Sequence, residues 1–181
     1  MTRTDHIHLM AKYNEWMNAK LYEAAMRLPS EELVADRGAF FGSILGTLNH
    51  IVAGDTIWLR RFATHPAHYA ALEAIRNLPA PTGLDQQLFA DMQSLEKHRK
   101  FLDQSITEWA QSVTEPELDH VLHYVNSLGV VADRNFYALV LHFFNHQTHH
   151  RGQVTTLLSQ AGVDVGVTDL VALIPNEAPS C

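Results

Sequence analysis

Apolar residues recur at three- and four-residue steps over four long stretches of this chain, which is the pattern of amphipathic helices. Pro29 ends the first stretch, a Thr82-Asp85 capping box precedes the third, and Gly162 ends the last. The predicted helices are residues 9–28, 40–62, 84–109 and 134–161. Helices of this length bury their apolar faces against one another, so the pattern predicts helix-on-helix packing.

The segments between these helices are shorter and less regular. Ser30–Leu33 reads as a capped turn, and residues 63–81 form a short helical excursion between prolines. Residues 115–133 contain strand-forming side chains on either side of a turn at Asn126–Gly129, which predicts a small β-hairpin before the last helix. We expect residues 164–181 to be a tail that packs back on the bundle. The predicted fold is all-α: one domain, residues 1–181, built as a four-helix bundle with a short extra helix.

Composition excludes several kinds of partner. The chain has 181 residues, of which 46% are hydrophobic, so it can bury the core of a single domain. Its net charge is −7 and it has no dense Lys/Arg cluster, which disfavours a nucleic-acid partner. The N-terminus has no apolar signal core and no apolar run reaches about 18 residues, so we expect a soluble, cytoplasmic protein without membrane attachment.

The fourth predicted helix carries four of the twelve histidines. Taking His146 as zero, His150 lies at about +40° around the helix axis and His142 at about −40°, whereas the apolar stripe centres near +60°. His149, near −60°, lies beyond the edge of the stripe. His146 and His150 therefore point toward the core, where their ring nitrogens need either a metal ion or a hydrogen-bonding network. We favour the metal, since histidines four apart on a helix can converge on one ion.

His50, on the second helix, has small residues beside it at Gly46, Ala53 and Gly54. They leave a pocket next to the imidazole. On this helix alone, the more common explanation is that a neighbouring helix approaches closely and hydrogen-bonds to the histidine.

The sequence lacks the residues that several other metal sites require. Position 147 is Gln, so the His-Glu-x-x-His motif of zincin peptidases is absent. Glu117 and His120 form a single Glu-x-x-His spacing, which speaks against the paired motif of di-iron bundles. The only cysteine, Cys181, is the last residue, so a buried metal site must use nitrogen or oxygen ligands.

Three segments together resemble the DinB-like superfamily of metal-binding four-helix bundles, over nearly the whole length. They are YNEWMNAKLYEA (13–24), LNHIVAGDTIWLRRF (48–62) and HFFNHQTHHRGQVTTLLSQAGVD (142–164), of which the last is the most specific. The resemblance implies that His50, His146 and His150 are the metal ligands. It also implies a homodimer and relatives that are transferases or isomerases using low-molecular-weight thiols.

Three histidine ligands would leave one coordination position open to water or a small-molecule substrate. All-imidazole ligation suits Zn²⁺, Ni²⁺ or a similar divalent ion. The expected function is therefore a metal-dependent transferase that uses a low-molecular-weight thiol as cosubstrate. The alternative is a metal-binding stress-response protein without catalytic turnover.

Overall fold

The computed structural model describes residues 1–126 and 129–177. These residues form six α-helices and one two-stranded antiparallel sheet. In chain order the elements are α1 (Arg3–Ala25), α2 (Ser30–Val34), α3 (Ile44–Phe62), α4 (Glu73–Arg76), α5 (Met92–Ser112), β1 (Val121–Val125), β2 (Val131–Asn135) and α6 (Phe136–Gln160). Helix α1 packs on α5 and α6, and α3 packs on the same two helices. The four long helices therefore form the predicted bundle, with α1 and α3 at opposite corners.

Each long helix begins where a side chain accepts a hydrogen bond from the first turn. Thr2 and Asp5 form a capping box at α1, and Ser43 accepts from the Gly46 N–H at α3. Asp91 and Asn135 cap α5 and α6 in the same way. Because an unpaired N–H at a helix end is unfavourable, these caps set the helix starts.

Three of the predicted helix starts were wrong. Helix α1 begins at Arg3 rather than at residue 9, whereas α3 and α5 begin later than predicted. Helix α3 begins at Ile44 rather than at residue 40, because residues 39–42 form a tight turn in which Gly42 has a positive φ of 71°. Helix α5 begins at Met92 rather than at residue 84, because the Thr82 N–H and hydroxyl bond to Gln86 instead of forming the expected box with Asp85. Both shifted segments turn out to lie beside the histidines.

One end of the bundle core is aromatic. The Phe62 ring stacks on Trp109 at 5.3 Å between centroids and meets Phe136 and Phe143 edge-on at 5.2 and 5.6 Å. All four side chains are at most 1% exposed. They come from α3, α5 and α6, so this cluster joins three helices through apolar contact.

The middle of the core is polar, which the sequence pattern did not predict. Arg99 belongs to the charged and polar run at residues 96–100, a pattern that predicts a solvated face of the third helix, yet Arg99 is only 2% exposed. Its guanidinium lies 2.5 Å from an oxygen of Asp55 on α3 and 3.0 Å from an oxygen of Asp103. Asn14 and Asn18 of α1 donate to the same Asp103 oxygen at 3.0 and 2.8 Å. Buried charges require such partners, so the network lies where three helices can supply them.

The predicted hairpin and helix end are confirmed. Strand β1 pairs antiparallel with β2, with Val121 opposite Asn135 and Val125 opposite Val131. Residues 127 and 128 of the predicted turn lie outside the described residues. After α6, Gly162 takes the positive φ of 79° that suits a helix terminus.

The segment after α6 contacts α1. The Tyr13 hydroxyl donates to the Thr168 carbonyl at 2.7 Å, and the Lys20 ammonium donates to the Val167 carbonyl at 2.5 Å. Cys181 and the three residues before it lie outside the described residues. Among the helices described, none combines the length and apolar character needed to cross a membrane.

Replacing Arg99 by Met tests the polar core. The change removes the cation but keeps a long side chain, so Asp55 and Asp103 are left buried without their charged partner. We expect the free energy of unfolding, measured in urea, to fall by about 3 kcal/mol or more. The adjacent Lys100 is exposed and pairs only with Glu96, so Lys100→Met should change stability by less than about 1 kcal/mol. Equal effects of the two changes would contradict a buried role for Arg99.

Candidate metal centre

Three histidines from two packed helices meet at one point. His50 lies on α3, and His146 and His150 lie one turn apart on α6. The His50 Nε2 atom is 3.2 Å from Nε2 of His146 and 3.0 Å from Nε2 of His150. His50 is 3% exposed and the other two are half-buried. The structure therefore brings together all three residues proposed as ligands.

Hydrogen bonds at the far side of two rings fix which nitrogen carries the proton. Nδ1 of His50 lies 2.7 Å from the carbonyl oxygen of Leu84, and Nδ1 of His150 lies 2.7 Å from the amide oxygen of Gln153. Each oxygen can only accept, so each Nδ1 donates its proton outward. The Nε2 atoms of His50 and His150 then carry lone pairs that face the centre of the cluster.

The contact between His50 and His150 bears on whether the cluster is hydrogen-bonded or is a cation site. Two neutral imidazoles with protons on Nδ1 have only acceptors at Nε2, so the 3.0 Å approach of these atoms is not a hydrogen bond between neutral rings. A cation between the lone pairs would turn this repulsion into attraction. Imidazole nitrogens at this spacing are a donor set that fits borderline divalent ions.

The surroundings keep the rings neutral. Burial lowers the pKa of His50 and His150 below the ordinary histidine value. Burial, with the nearby His150 and His50 rings, lowers the pKa of His146 to about 3. Only neutral imidazole binds a metal ion, so the rings are in the binding form at neutral pH.

Two glycines of α3 make the space for this arrangement. A Cβ atom at Gly54 would lie 2.8 Å from Cε1 of His146, so only glycine allows the ring to approach α3. A Cβ atom at Gly46 would collide with the carbonyl oxygen of Phe41. The Phe41 ring stacks on His50 with centroids 3.7 Å apart. The small residues noted beside His50 therefore admit one ring from α6 and one from the preceding turn.

The orientation of α6 differs slightly from the sequence prediction. Its buried arc extends from Leu139, near +20° on the scale with His146 at zero, to Phe144, near +160°. The centre of the arc lies near +90°, because Gln147 and Arg151 are buried as well. His146 and His150 consequently lie on one side of this arc, and both side chains are partly exposed.

The remaining histidines lie elsewhere. His142 is exposed and its ring meets Trp58 edge-on at 5.0 Å, and His149 is exposed. His65 is buried, but it bonds to backbone atoms of Ala67 and Glu117. Within the part of the chain that the structure describes, His50, His146 and His150 are the one group of at least three potential ligands close enough to share an ion.

Sequence reasoning missed two residues that contact the centre. Phe41 was assigned to a helix but lies in the turn before α3, from which its ring reaches His50. Leu84 was assigned to the apolar face of the third helix, yet its side chain is exposed and its backbone carbonyl accepts from His50. No signal in the sequence marks a backbone carbonyl as the partner of a histidine 34 residues away.

The fold and the site together define a four-helix bundle in which two helices bring three histidines to one point. A sequence profile of the DinB family matches residues 1–178, and the chain belongs to that family. It is similar to Protein DinB of Bacillus subtilis (strain 168), with 24% identity over 168 residues and 92% of each chain covered. No solved structure matches with significance. The resemblance noted in the sequence is thereby confirmed.

The tight contact at Gly54 gives a testable consequence. We expect Gly54→Ala to push the His146 ring away from α3 and to lower the free energy of unfolding by about 1–3 kcal/mol, because the core is overpacked there. NMR shifts of the His146 ring and urea unfolding measure the two effects. Gly152→Ala, on α6 with nothing within 4 Å of the added atom, should instead stabilise the helix by up to about 1 kcal/mol. An unmoved His146 ring in Gly54→Ala would show that the contact is not tight.

Proposed function

We propose that His50, His146 and His150 bind one divalent metal ion, Zn²⁺ or Ni²⁺ being the best match to an all-imidazole donor set. The observation that carries the proposal is the pair of Nε2 atoms of His50 and His150, 3.0 Å apart with both Nδ1 protons donated outward. Membership of the DinB family supports the same reading.

We further propose that the centre serves a transferase reaction with a low-molecular-weight thiol. Three protein ligands leave a position for an exogenous group, and a divalent ion there would lower the pKa of a bound thiol and favour the nucleophilic thiolate. The chain itself orients His50 through Leu84 and His150 through Gln153, which keeps both Nε2 lone pairs directed at the centre of the cluster. The only cysteine of the sequence is Cys181, so the reacting thiol would come from a cosubstrate.

The second candidate is a metal-binding protein without turnover. The observation that favours it is the composition of the cluster: the described residues that converge there are three histidines, with no carboxylate to act as a general base. The two candidates share the metal ion and differ in whether a thiol is consumed.

Metal stoichiometry tests the centre. We expect the wild type to bind about one Zn²⁺ or Ni²⁺ per chain, as measured by elemental analysis and calorimetry after dialysis. His50→Ala, His146→Ala and His150→Ala should each weaken binding by at least about tenfold, because two imidazoles hold the ion less well than three. His120→Ala is the control, since this histidine lies outside the cluster.

Full stoichiometry and affinity in His50→Ala would contradict the three-histidine centre. His142→Ala provides a further comparison on α6. Because the His142 ring packs on Trp58 rather than on His50, its loss should cost less affinity than the loss of His146.

Consumption of a thiol separates the transferase from the binding protein. We expect the metal-loaded wild type to consume a low-molecular-weight thiol in the presence of an electrophile, and apo protein and His146→Ala to be inactive. Cys181→Ala should retain activity, because the proposed nucleophile is exogenous. Turnover that survives metal removal would contradict the mechanism, and the absence of turnover with any thiol would favour the binding protein.

We also propose a homodimer, on the strength of family membership. A small-molecule substrate fits better than a nucleic acid, since the net charge of −7 repels phosphate backbones. Light scattering at micromolar concentration should return about twice the chain mass of 20.4 kDa. A monomer mass would overturn the proposed dimer.

A further inference from the structure

Arg61, near the C-terminal end of α3, carries a positive charge that no carboxylate of the described residues neutralises. Its side chain is half-buried, and its one hydrogen bond to a described residue is long, 3.4 Å from Nη2 to the carbonyl oxygen of Val125. The guanidinium lies over the rings of Trp58 and Tyr124, with its carbon 4.6 and 4.8 Å from the two centroids. The aromatic rings hold the guanidinium in place without satisfying most of its N–H groups.

This guanidinium lies close to the candidate metal centre along α3. The His146 ring contacts Gly54, and the Arg61 guanidinium lies over Trp58, four residues further along, which is about 6 Å of helix. The His142 ring fills the interval on α6, 5.0 Å from the Trp58 ring and 6.1 Å from the His146 ring. The rings of Trp58 and His142 therefore connect the surroundings of Arg61 to those of His146.

A cleft opens beside Arg61. It has a volume of about 460 Å³ and is lined by Ile57 and Arg61 of α3, by Gly83 and by Tyr124 of β1, among others. The residue after Gly83 is Leu84, whose carbonyl holds His50. The segment at Gly83 and Leu84 thus orients His50 and also forms a wall of the cleft. The volume of the cleft is within the range of small-molecule sites.

The other charged groups of the cleft are already engaged. Arg60 donates to the carbonyl oxygens of Arg76 and Leu78, and His123 pairs with Asp133 at 2.8 Å. Arg61 has a single long hydrogen bond among the described residues, so most of its N–H groups can donate to a new partner. A guanidinium that has lost much of its water binds an anion more strongly than one in open solvent, and its planar fork matches a carboxylate.

We propose that Arg61 binds the carboxylate of a small molecule whose thiol reaches the three-histidine centre. The inference rests on the proposed metal-dependent function and names the class of its cosubstrate: an acidic low-molecular-weight thiol, with the sulfur and the carboxylate several bonds apart. One available guanidinium matches a monoanionic carboxylate better than a phosphate dianion. Arg61 would position the molecule, and the chemistry would occur at the centre.

The test compares two thiols of similar length, one ending in a carboxylate and the other in an uncharged hydroxyl group. The protein is loaded with Co²⁺, which imidazole ligands also bind, and the stoichiometry is measured first. The Co²⁺ protein is then titrated with ω-mercaptohexanoate or with the uncharged ω-mercaptohexanol, and thiol binding is followed through the absorption spectrum of the cobalt. The variants are Arg61→Gln, Arg61→Lys and, as a charge-matched control, Arg27→Gln at an exposed position after α1.

We expect the wild type to bind ω-mercaptohexanoate more tightly than the alcohol. Arg61→Gln should weaken binding of the acid by roughly tenfold and leave the alcohol unchanged, since only the acid uses the guanidinium. The affinity of Arg61→Lys for the acid should lie between the affinities of the wild type and Arg61→Gln. Arg27→Gln should behave as wild type. Comparing two thiols on each variant separates loss of the carboxylate contact from general damage to the fold.

The failures are distinguishable. If the protein binds no Co²⁺, the proposed metal centre is wrong and the inference fails with it. If Co²⁺ binds but the acid shows no preference over the alcohol, or the preference survives in Arg61→Gln, the metal centre stands and the role of Arg61 is wrong. If Arg61→Gln no longer binds Co²⁺, the comparison is made on Arg61→Lys instead. An undiminished preference of that variant for the acid would contradict the proposed contact between the Arg61 guanidinium and the carboxylate.

Discussion

A single carboxylate at the centre of the bundle, that of Asp55, ties three of the four long helices together. It is 0% exposed and lies on α3, and one of its oxygens accepts from Arg99 of α5 and from Gln147 of α6, at 2.5 and 2.9 Å. Asp55 and Gln147 both adjoin the candidate centre in sequence, because Gly54 precedes Asp55 and His146 precedes Gln147. The bond between Asp55 and Gln147 therefore sets the height at which α6 lies against α3, and with it the convergence of the histidines.

This polar core is an expensive way to hold helices together, since every buried charge loses its hydration. Burial raises the pKa of Asp103 to about 6, against the opposing effect of Arg99. Purely apolar side chains would pack as well at several relative heights of two helices. A hydrogen bond between Asp55 and Gln147 forms at one height only, so the network restricts the register of α3 on α6. This register matters because it places the Nε2 atoms of His146 and His150 at 3.2 and 3.0 Å from Nε2 of His50.

Helix α3 carries most of what the site needs along one face. His50 supplies a proposed ligand, Gly54 supplies the space for His146, Ile57 lines the cleft and Arg61 supplies a cation. Steps of four, three and four residues keep these positions on the same side of a helix. The loop around Gly83 and Leu84 covers this face. It fixes one imidazole and bounds the cleft, so a change in the loop would affect both.

Much of the fold follows from local properties that the sequence determines alone. Four amphipathic stretches, the hairpin and the stop at Gly162 depend on periodicity and turn residues within a few positions of each other. The pairing of His146 with His150 is equally local, because residues four apart share a helix face. His50 was different: its own helix favoured an ordinary helix contact, and only the family resemblance marked it as a ligand.

The tertiary structure alone decided which distant groups meet. Arg99 was assigned to a solvated face because four charged or polar neighbours surround it in sequence, and only the packing of α5 on α3 shows that it faces Asp55. The carbonyl of Leu84 and the ring of Phe41 reach His50 from segments that periodicity assigned to helices. The Arg61 guanidinium packs on Tyr124 of the hairpin, more than sixty residues away. The pattern along one helix indicates which of its residues share a face. Which residues of other segments contact that face depends on how the separate helices pack.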